Sequence, residues 1–208
     1  MPAPRRLALA ALPLLALAAA SCAEKTPRDT AGQAMQLVST KVDDVSAYPI
    51  NLTAFFPEGG FGDYTRTERD NGLAYVATVS YRGAQVLSYQ WMTGDLALAP
   101  NDYAAMGRQS DFEQRLATAG IPYQTGQGTI TPVRHPRYPS VGYTYAGPGA
   151  APGTTCFVGR AAYGVRKKSS ELFGIGTADA VLSAGLCGAG LDAGRWVRVF
   201  NEMSATAP

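Results

Sequence analysis

His135 is the only histidine in the 208-residue sequence, and imidazole is the side chain best suited to moving protons near neutral pH. It lies in the segment RHPRYP, between Arg134 and Pro136. A catalytic histidine needs a nucleophile and an orienting group within hydrogen-bonding distance, and no G-x-S-x-G motif accompanies this one. We therefore expect His135 on a loop without a catalytic centre, where Arg134 and Arg137 lower its pKa by charge repulsion. The two guanidinium groups could instead bind an anionic ligand.

Four carboxylates lie close together in the sequence and could supply the acid pair of a glycosidase: Glu58, Asp63, Glu68 and Asp70. Proximity in sequence does not establish the separation of about 5 to 9.5 Å that this hydrolysis requires. A zinc site of the common kinds needs several His or Cys ligands, and residues 43–44 lack the spacing of a calcium-binding loop. The sequence predicts no metal site.

Residues 188–193, GAGLDA, match the dinucleotide-binding pattern G-x-G-x-x-A and fall between a predicted strand and a predicted helix. A dinucleotide-binding unit needs a second parallel strand after that helix and an acid about 20 residues further on. The sequence ends too soon after this helix to supply them. We interpret the segment as a glycine-rich turn and expect no cofactor.

Three tyrosines follow the histidine and alternate with Gly and Pro: Tyr138, Tyr143 and Tyr145. Two interpretations stay open. Exposed aromatic rings could form a platform for a glycan or a protein partner. Alternating tyrosines could equally pack one face of a strand, since aromatic residues favour strands. On the first interpretation they join Arg134, His135 and Arg137 as candidate ligand contacts.

The sequence contains three cysteines. Cys156 and Cys187 each lie in a segment with the composition of a strand, and export to an oxidising compartment would allow them to pair as antiparallel neighbours. We predict this disulfide. The third, Cys22, is then an odd exported thiol that needs its own explanation.

The amino terminus has the pattern of a secretory signal peptide. Arg5 and Arg6 precede an uncharged apolar stretch at residues 7–20, which is shorter than the roughly 20 residues of a membrane-spanning helix. Residues 1–21 are therefore predicted to be removed. An ordinary signal peptidase could cleave after the small residues Ala18 and Ala20, which would leave a soluble periplasmic or secreted protein.

The interpretation that we favour concerns the last four residues of this region, and the soluble protein is its alternative. Ala19-Ala20-Ser21-Cys22 resembles the lipobox of bacterial lipoproteins. The resemblance implies a diacylglycerol thioether on Cys22, which becomes the acylated first residue of the mature protein. In that family an Asp after the cysteine often retains the protein at the inner membrane, so Ala23 favours the outer membrane, with the domain facing the periplasm.

The charge of the mature chain excludes one class of partner. Removal of residues 1–21 takes away Arg5 and Arg6 and leaves sixteen basic and sixteen acidic residues. A neutral chain offers no general electrostatic attraction for nucleic acid. The expected partners are the membrane, through the lipid anchor, and an envelope protein or glycan.

The elements around these residues are predicted from local patterns. Thr26 and Pro27 are typical of a helix start, and apolar residues then recur at helical spacing up to Pro49: Met35, Val38, Val42 and Val45. From Tyr64 the period changes to two, and YTRTER, LAYVATVS and AQVLSYQWM predict a three-stranded meander. Residues 110–113, SDFE, have the pattern of a capping box that opens a helix, which Gly120 closes.

In the last third, VGYTYAG, TTCFVGRAAYG and AVLSAGLC are predicted strands. A terminal helix is predicted to begin near Asp192, with Trp196, Phe200 and Met203 on one face. Residues 22–208 thus form a single α+β domain, a mainly antiparallel sheet with two or three helices and a short tether to the membrane. We expect a non-enzymatic binding or accessory role, and the alternative is a periplasmic hydrolase of cell-wall or glycan material that uses a carboxylate pair.

Overall fold

The computed structural model describes residues 37–42, 48–69, 74–82, 84–92, 104–165 and 178–205. Eight strands form one sheet in which every neighbouring pair is antiparallel. The strands are β1 Leu37–Val42, β2 Phe61–Arg69, β3 Ala74–Tyr81, β4 Ala84–Met92, β5 Thr129–Pro132, β6 Ser140–Pro148, β7 Thr155–Tyr163 and β8 Ala180–Gly188. The predicted α+β class with an antiparallel sheet is confirmed.

The sheet consists of two four-stranded meanders joined side by side. Its order is β1-β2-β3-β4-β8-β7-β6-β5, so the last strand of each meander pairs with the last strand of the other. The predicted meander of β2, β3 and β4 is confirmed, as are β6, β7 and β8. These strands could be predicted because buried and exposed residues alternate along them. In β3, Ala77 and Val79 are fully buried and Thr78 between them is not, as expected for a strand with one buried face.

Among the described residues, three α-helices with complete bounds lie beside the sheet, α1 Leu52–Phe55, α2 Gln109–Thr118 and α3 Ala193–Glu202, and residues 104–106 are also helical. The third is the predicted terminal helix, and the carboxylate of Asp192 caps it by accepting a hydrogen bond from the Arg195 N–H at 2.9 Å. The glycine-rich segment before it is the turn from β8 to this helix, with Gly190 at a positive φ of 70°. The interpretation of residues 188–193 as a turn is therefore confirmed.

Helix α3 packs on β6 and β7 and buries Trp196, Val199 and Phe200 completely. We call the side of the sheet that it covers the α3 face. Close approach depends on Gly159 of β7, because a Cβ atom there would lie 2.6 Å from the Phe200 ring. Phe56 packs on the Trp196 ring at a centroid distance of 4.8 Å, which extends the same core.

Helix α2 covers the opposite side, which we call the α2 face. Phe112 and Leu116 pack there against Tyr145 and Cys156. Gly120 ends the helix at a positive φ of 69°, as predicted. With helices on both sides, the sheet has two separate apolar layers, and a side chain belongs to one or the other according to its position along the strand.

The predicted start of α2 is wrong. The helix begins at Gln109, with Arg108 at the N-cap and no side chain bonded to the free N–H groups. Ser110 lies inside the first turn, so it cannot act as the cap of the expected capping box. The first turn is instead held by Arg108, whose Nε and Nη2 donate to Asp111 Oδ2 at 3.0 and 2.8 Å.

The predicted N-terminal helix is also wrong where the structure describes it. Residues 37–42 form β1, which pairs with β2 so that Val42 lies opposite Tyr64. Val38 and Val42 are four residues apart, a spacing that places two side chains on one face of a helix and also on one face of a strand. Pairing with β2 decides between them. The remaining residues of that prediction, 26–36 and 43–47, lie outside the described part of the chain, as does Cys22.

The predicted disulfide is confirmed. Cys156 of β7 and Cys187 of β8 are register partners, and their Cα atoms are 4.1 Å apart. The bond closes a loop with a sequence separation of 31 residues. In the chain-entropy model a loop of this length stabilises the fold by about 3.7 kcal/mol.

Candidate functional site

His135 lies on the segment between β5 and β6, as predicted, and its ring is fully used in hydrogen bonds to the backbone. Nδ1 accepts from the Arg137 N–H at 3.1 Å and from the Tyr138 N–H at 3.0 Å. Nε2 lies 2.9 Å from the carbonyl oxygen of Met203. A carbonyl can only accept, so Nε2 carries the proton and the ring is the neutral tautomer. We call residues 133–140 the His135 loop.

These bonds join two distant parts of the chain. Met203 is the C-cap of α3, 68 residues beyond the histidine. The His135 ring stacks on Tyr138 at a centroid distance of 4.5 Å and meets Tyr163 of β7 edge-on at 6.0 Å. Tyr163 in turn donates its hydroxyl hydrogen to the carbonyl of Phe200 at 2.8 Å. The histidine therefore pins its loop to the carboxyl end of α3.

The pKa of His135 is lowered, as predicted, but the main cause is different. Partial burial of the ring disfavours the charged imidazolium and contributes most. The positive charge of Arg137 acts in the same direction, and the hydrogen bond to Met203 opposes both. The hydrogen bonds also favour the neutral ring, because protonation of Nδ1 would remove the acceptor of two backbone N–H groups.

A second contact fixes the loop beside Arg134. The N–H of Arg134 donates to Asn201 Oδ1 at 2.8 Å, and Asn201 Nδ2 donates to the Val197 carbonyl at 3.0 Å within α3. The Arg134 side chain is exposed. Asn201 was not identified from the sequence, since the two residues are 67 positions apart and no local pattern connects them.

Arg137 is also exposed, and its guanidinium donates to Ser204 Oγ. Its carbon Cζ lies 5.9 Å from the centre of the Tyr138 ring. The loop thus presents two arginine side chains on a backbone that His135 and Asn201 hold in place. Such a surface can pair with carboxylate or phosphate groups, which match the planar guanidinium fork.

Of the six residues predicted to contact a ligand, the structure brings four together: Arg134, His135, Arg137 and Tyr138. The other two lie across the sheet under α2. Tyr143 donates to the Gly107 carbonyl at 3.1 Å and packs on Phe112. Tyr145 is completely buried. Because Tyr145 is buried, it cannot be part of an exposed aromatic platform. Alternation along β6 directs both tyrosines into the α2 layer, as the packing interpretation expects.

The arrangement around His135 does not suit base catalysis. Both ring nitrogens are bonded to backbone groups, and the hydroxyl of Ser140 accepts from the His135 backbone N–H at 3.1 Å rather than meeting the ring. A general base needs a free nitrogen directed at the proton that it takes. The chemistry that this loop can perform is recognition by charge and hydrogen bonding.

The carboxylates considered for hydrolysis are only partly described. Glu58 forms an ion pair with Arg195 of α3, and its pKa is lowered first by a hydrogen bond from its own backbone N–H and then by Arg195. Asp70 and the side chains of Asp63 and Glu68 lie outside the described part of the structure.

Within the described ranges, no three His, Cys, Asp or Glu side chains are placed to hold a metal ion. In the same part of the chain, no helix is long and apolar enough to cross a membrane. In comparisons with protein families, curated proteins and solved structures, nothing matches this chain.

Proposed function

We propose that this protein is a lipid-anchored lipoprotein of the bacterial cell envelope whose domain binds an acidic envelope glycan without catalysis. The observation that carries the binding role is the His135 loop. Its two arginines, Arg134 and Arg137, are exposed, and hydrogen bonds to Asn201 and Met203 hold its backbone against α3. The anchor is Cys22, and the domain faces the periplasm from the outer membrane.

The cysteines support the anchor. Because Cys156 and Cys187 bond to each other, Cys22 is the odd cysteine of the chain. A structural disulfide is typical of exported proteins, in agreement with the signal pattern of residues 1–21. Acylation gives the odd thiol a role and holds the domain at a surface, where several acyl chains bind far more firmly than a single one.

The fixed loop supports the binding role. A surface that is ordered before binding loses less conformational entropy when a ligand docks, so its contacts yield more affinity. Arg134 and Arg137 are separated by two residues, and their backbone positions are set by Asn201 and His135. Repeated carboxylates along an acidic glycan could engage both arginines at once, which raises the effective concentration of the second contact.

The anchor is tested by mass spectrometry of the mature amino terminus. We expect an acylated Cys22 as the first residue, and we expect Cys22→Ala to move the protein from the membrane fraction to the soluble fraction. An unmodified terminus at Ser21 or Cys22, or an unchanged membrane fraction in Cys22→Ala, would refute it.

The binding role is tested with purified protein and oligogalacturonate as a carboxylated glycan, with neutral dextran as the matched probe. Each exposed guanidinium contact is worth about 0.2 to 1 kcal/mol. The double variant Arg134→Gln/Arg137→Gln should therefore bind oligogalacturonate about 2- to 30-fold more weakly. The control Arg82→Gln removes an exposed positive charge at the turn after β3 and should leave affinity unchanged. Equal binding of dextran, or equal losses in the control, would contradict the proposal.

A further inference from the structure

A second site lies on the α2 face, on the opposite side of the sheet from the contacts that hold the His135 loop to α3. Helix α2 and the helical residues 104–106 before it leave a cavity of about 80 Å³ above the sheet. Its described lining combines apolar and charged side chains: Ala105, Met106, Asp111, Phe112, Arg115 and Arg160. The sequence offered no sign of it, because its parts come from β7, from α2 and from the residues just before α2.

Arg160 enters the cavity from the sheet. It lies in the middle of β7, opposite Tyr143 of β6 and Ser183 of β8. The neighbouring side chains on the same face of β7 belong to apolar clusters, Val158 with α2 and Ala162 with Met106. Arg160 thus places a positive charge between two apolar clusters on this face of β7.

The balance of charge in the lining is positive. Arg160 and Arg115 supply two guanidinium groups, and Asp111 supplies one carboxylate. That carboxylate already accepts two hydrogen bonds from Arg108, and these bonds lower its pKa and keep it ionised. The described lining of the cavity therefore has two arginines for one carboxylate, and that carboxylate is already paired with Arg108 outside the lining.

The cavity also has an apolar wall and a limited size. Met106 and Phe112 line it, so a ligand made only of polar atoms would leave apolar surface unmatched. The volume of about 80 Å³ is several times the roughly 10 to 15 Å³ that a single water requires, so the cavity admits a ligand in the size range of a few heavy atoms. This range corresponds to a carboxylate with a short aliphatic chain.

We propose that this cavity binds a short-chain monocarboxylate, with the carboxylate at Arg160 and Arg115 and the aliphatic chain against Met106 and Phe112. Arg160 interacts with other groups in the chain, and its guanidinium has five N–H donors, enough to serve those groups and a ligand together. The site is independent of the His135 loop, since the two lie on opposite faces of the sheet.

The test is calorimetric titration of the purified full-length protein with butyrate, with 1-butanol and butylamine as matched neutral and cationic probes and inorganic phosphate as an anion without an apolar part. We expect saturable binding of butyrate and binding of the other three that is at least tenfold weaker. No saturation by butyrate, or phosphate binding as tightly as butyrate, would overturn the proposal.

Two variants locate the binding. Arg160→Gln and Arg115→Gln should each weaken butyrate binding about tenfold, while Arg137→Gln, on the His135 loop, should have no effect. Arg115 is exposed, so its variant keeps the test valid even if Arg160→Gln fails to fold. Unchanged affinity in Arg115→Gln, or an equal loss in Arg137→Gln, would refute the site. Because the arginines differ from those of the glycan experiment, either proposal can fail alone.

Discussion

The His135→Phe variant tests how strongly the histidine holds its loop to α3. Phenylalanine keeps a ring that can stack on Tyr138, but it loses the acceptor for two backbone N–H groups and the donor to Met203. Each hydrogen bond contributes about 0.5 to 1.5 kcal/mol to stability, and the ring is partly accessible to water, so the sum is about 1.5 to 3 kcal/mol.

Urea unfolding at pH 7.5 measures this loss. A slope of about 2 kcal/mol per molar urea converts it into a midpoint lower by roughly 1 M. His135→Asn is the matched control, because the Asn carbonyl oxygen can accept from N–H groups two and three residues ahead, as in an Asx turn. It should recover part of the loss. Equal midpoints for the wild type and His135→Phe would refute the assignment of a holding role.

The same bonds predict a dependence on pH. The folded pKa of His135 lies below its ordinary value of 6.5, so the unfolded chain binds more protons as the pH falls. The stability from this group is complete above about pH 6.5 and is lost as the pH decreases from there to the folded pKa. Burial raises the pKa of Tyr163, whose ring faces His135, so its hydroxyl stays neutral in this range.

Unfolding measurements between pH 8 and pH 5 check this dependence. The free energy of unfolding of the wild type should decrease as the pH is lowered from 8 to 5. In His135→Phe and His135→Asn it should decrease much less. The carboxylates with lowered pKa titrate below this window, so they do not contribute to it. The same pH dependence in all three proteins would show that other groups cause it.

Two further substitutions test the packing and capping of the fold. Gly159→Ala places a methyl group 2.6 Å from the Phe200 ring and should destabilise the protein by about 1 to 3 kcal/mol in urea unfolding, whereas Gly185→Ala on β8 meets nothing within 4 Å and should change stability by less than 0.5 kcal/mol. Asp192→Ala removes the cap of α3 and should lower the free energy of unfolding by about 0.5 to 2 kcal/mol. Ser110→Ala in α2 should lower it by less than about 0.5 kcal/mol. A larger loss in Ser110→Ala than in Asp192→Ala would indicate that Ser110 caps α2 after all.

The two proposed sites follow from the way the sheet is covered. Helix α3 lies on one side and anchors the His135 loop through Met203 and Asn201. Helix α2 lies on the other and closes the cavity over Arg160. In both proposals arginine side chains bind the anion, and the binding experiments above test each proposal separately.

The sequence by itself determined the features that depend on neighbours along the chain. Alternation of apolar and polar residues specified six of the strands, and Asp192 before an apolar periodic segment specified the start of α3. Cys156 and Cys187 could be paired because both fell in predicted strands. The signal pattern and the lipobox at Cys22 are also local, and they stay predictions until the amino terminus is measured.

Only the tertiary structure decided the features for which local patterns were ambiguous or absent. Val38 and Val42 fit one face of a helix or of a strand, and pairing with β2 made the segment a strand. The burial of Tyr145 depended on α2 lying over β6. His135 found its acceptor 68 residues away, and the cavity over Arg160 assembled from segments about 50 residues apart in sequence. The physical reason is common to all of them: the contact that selects the outcome lies between residues brought together only by the folded sheet.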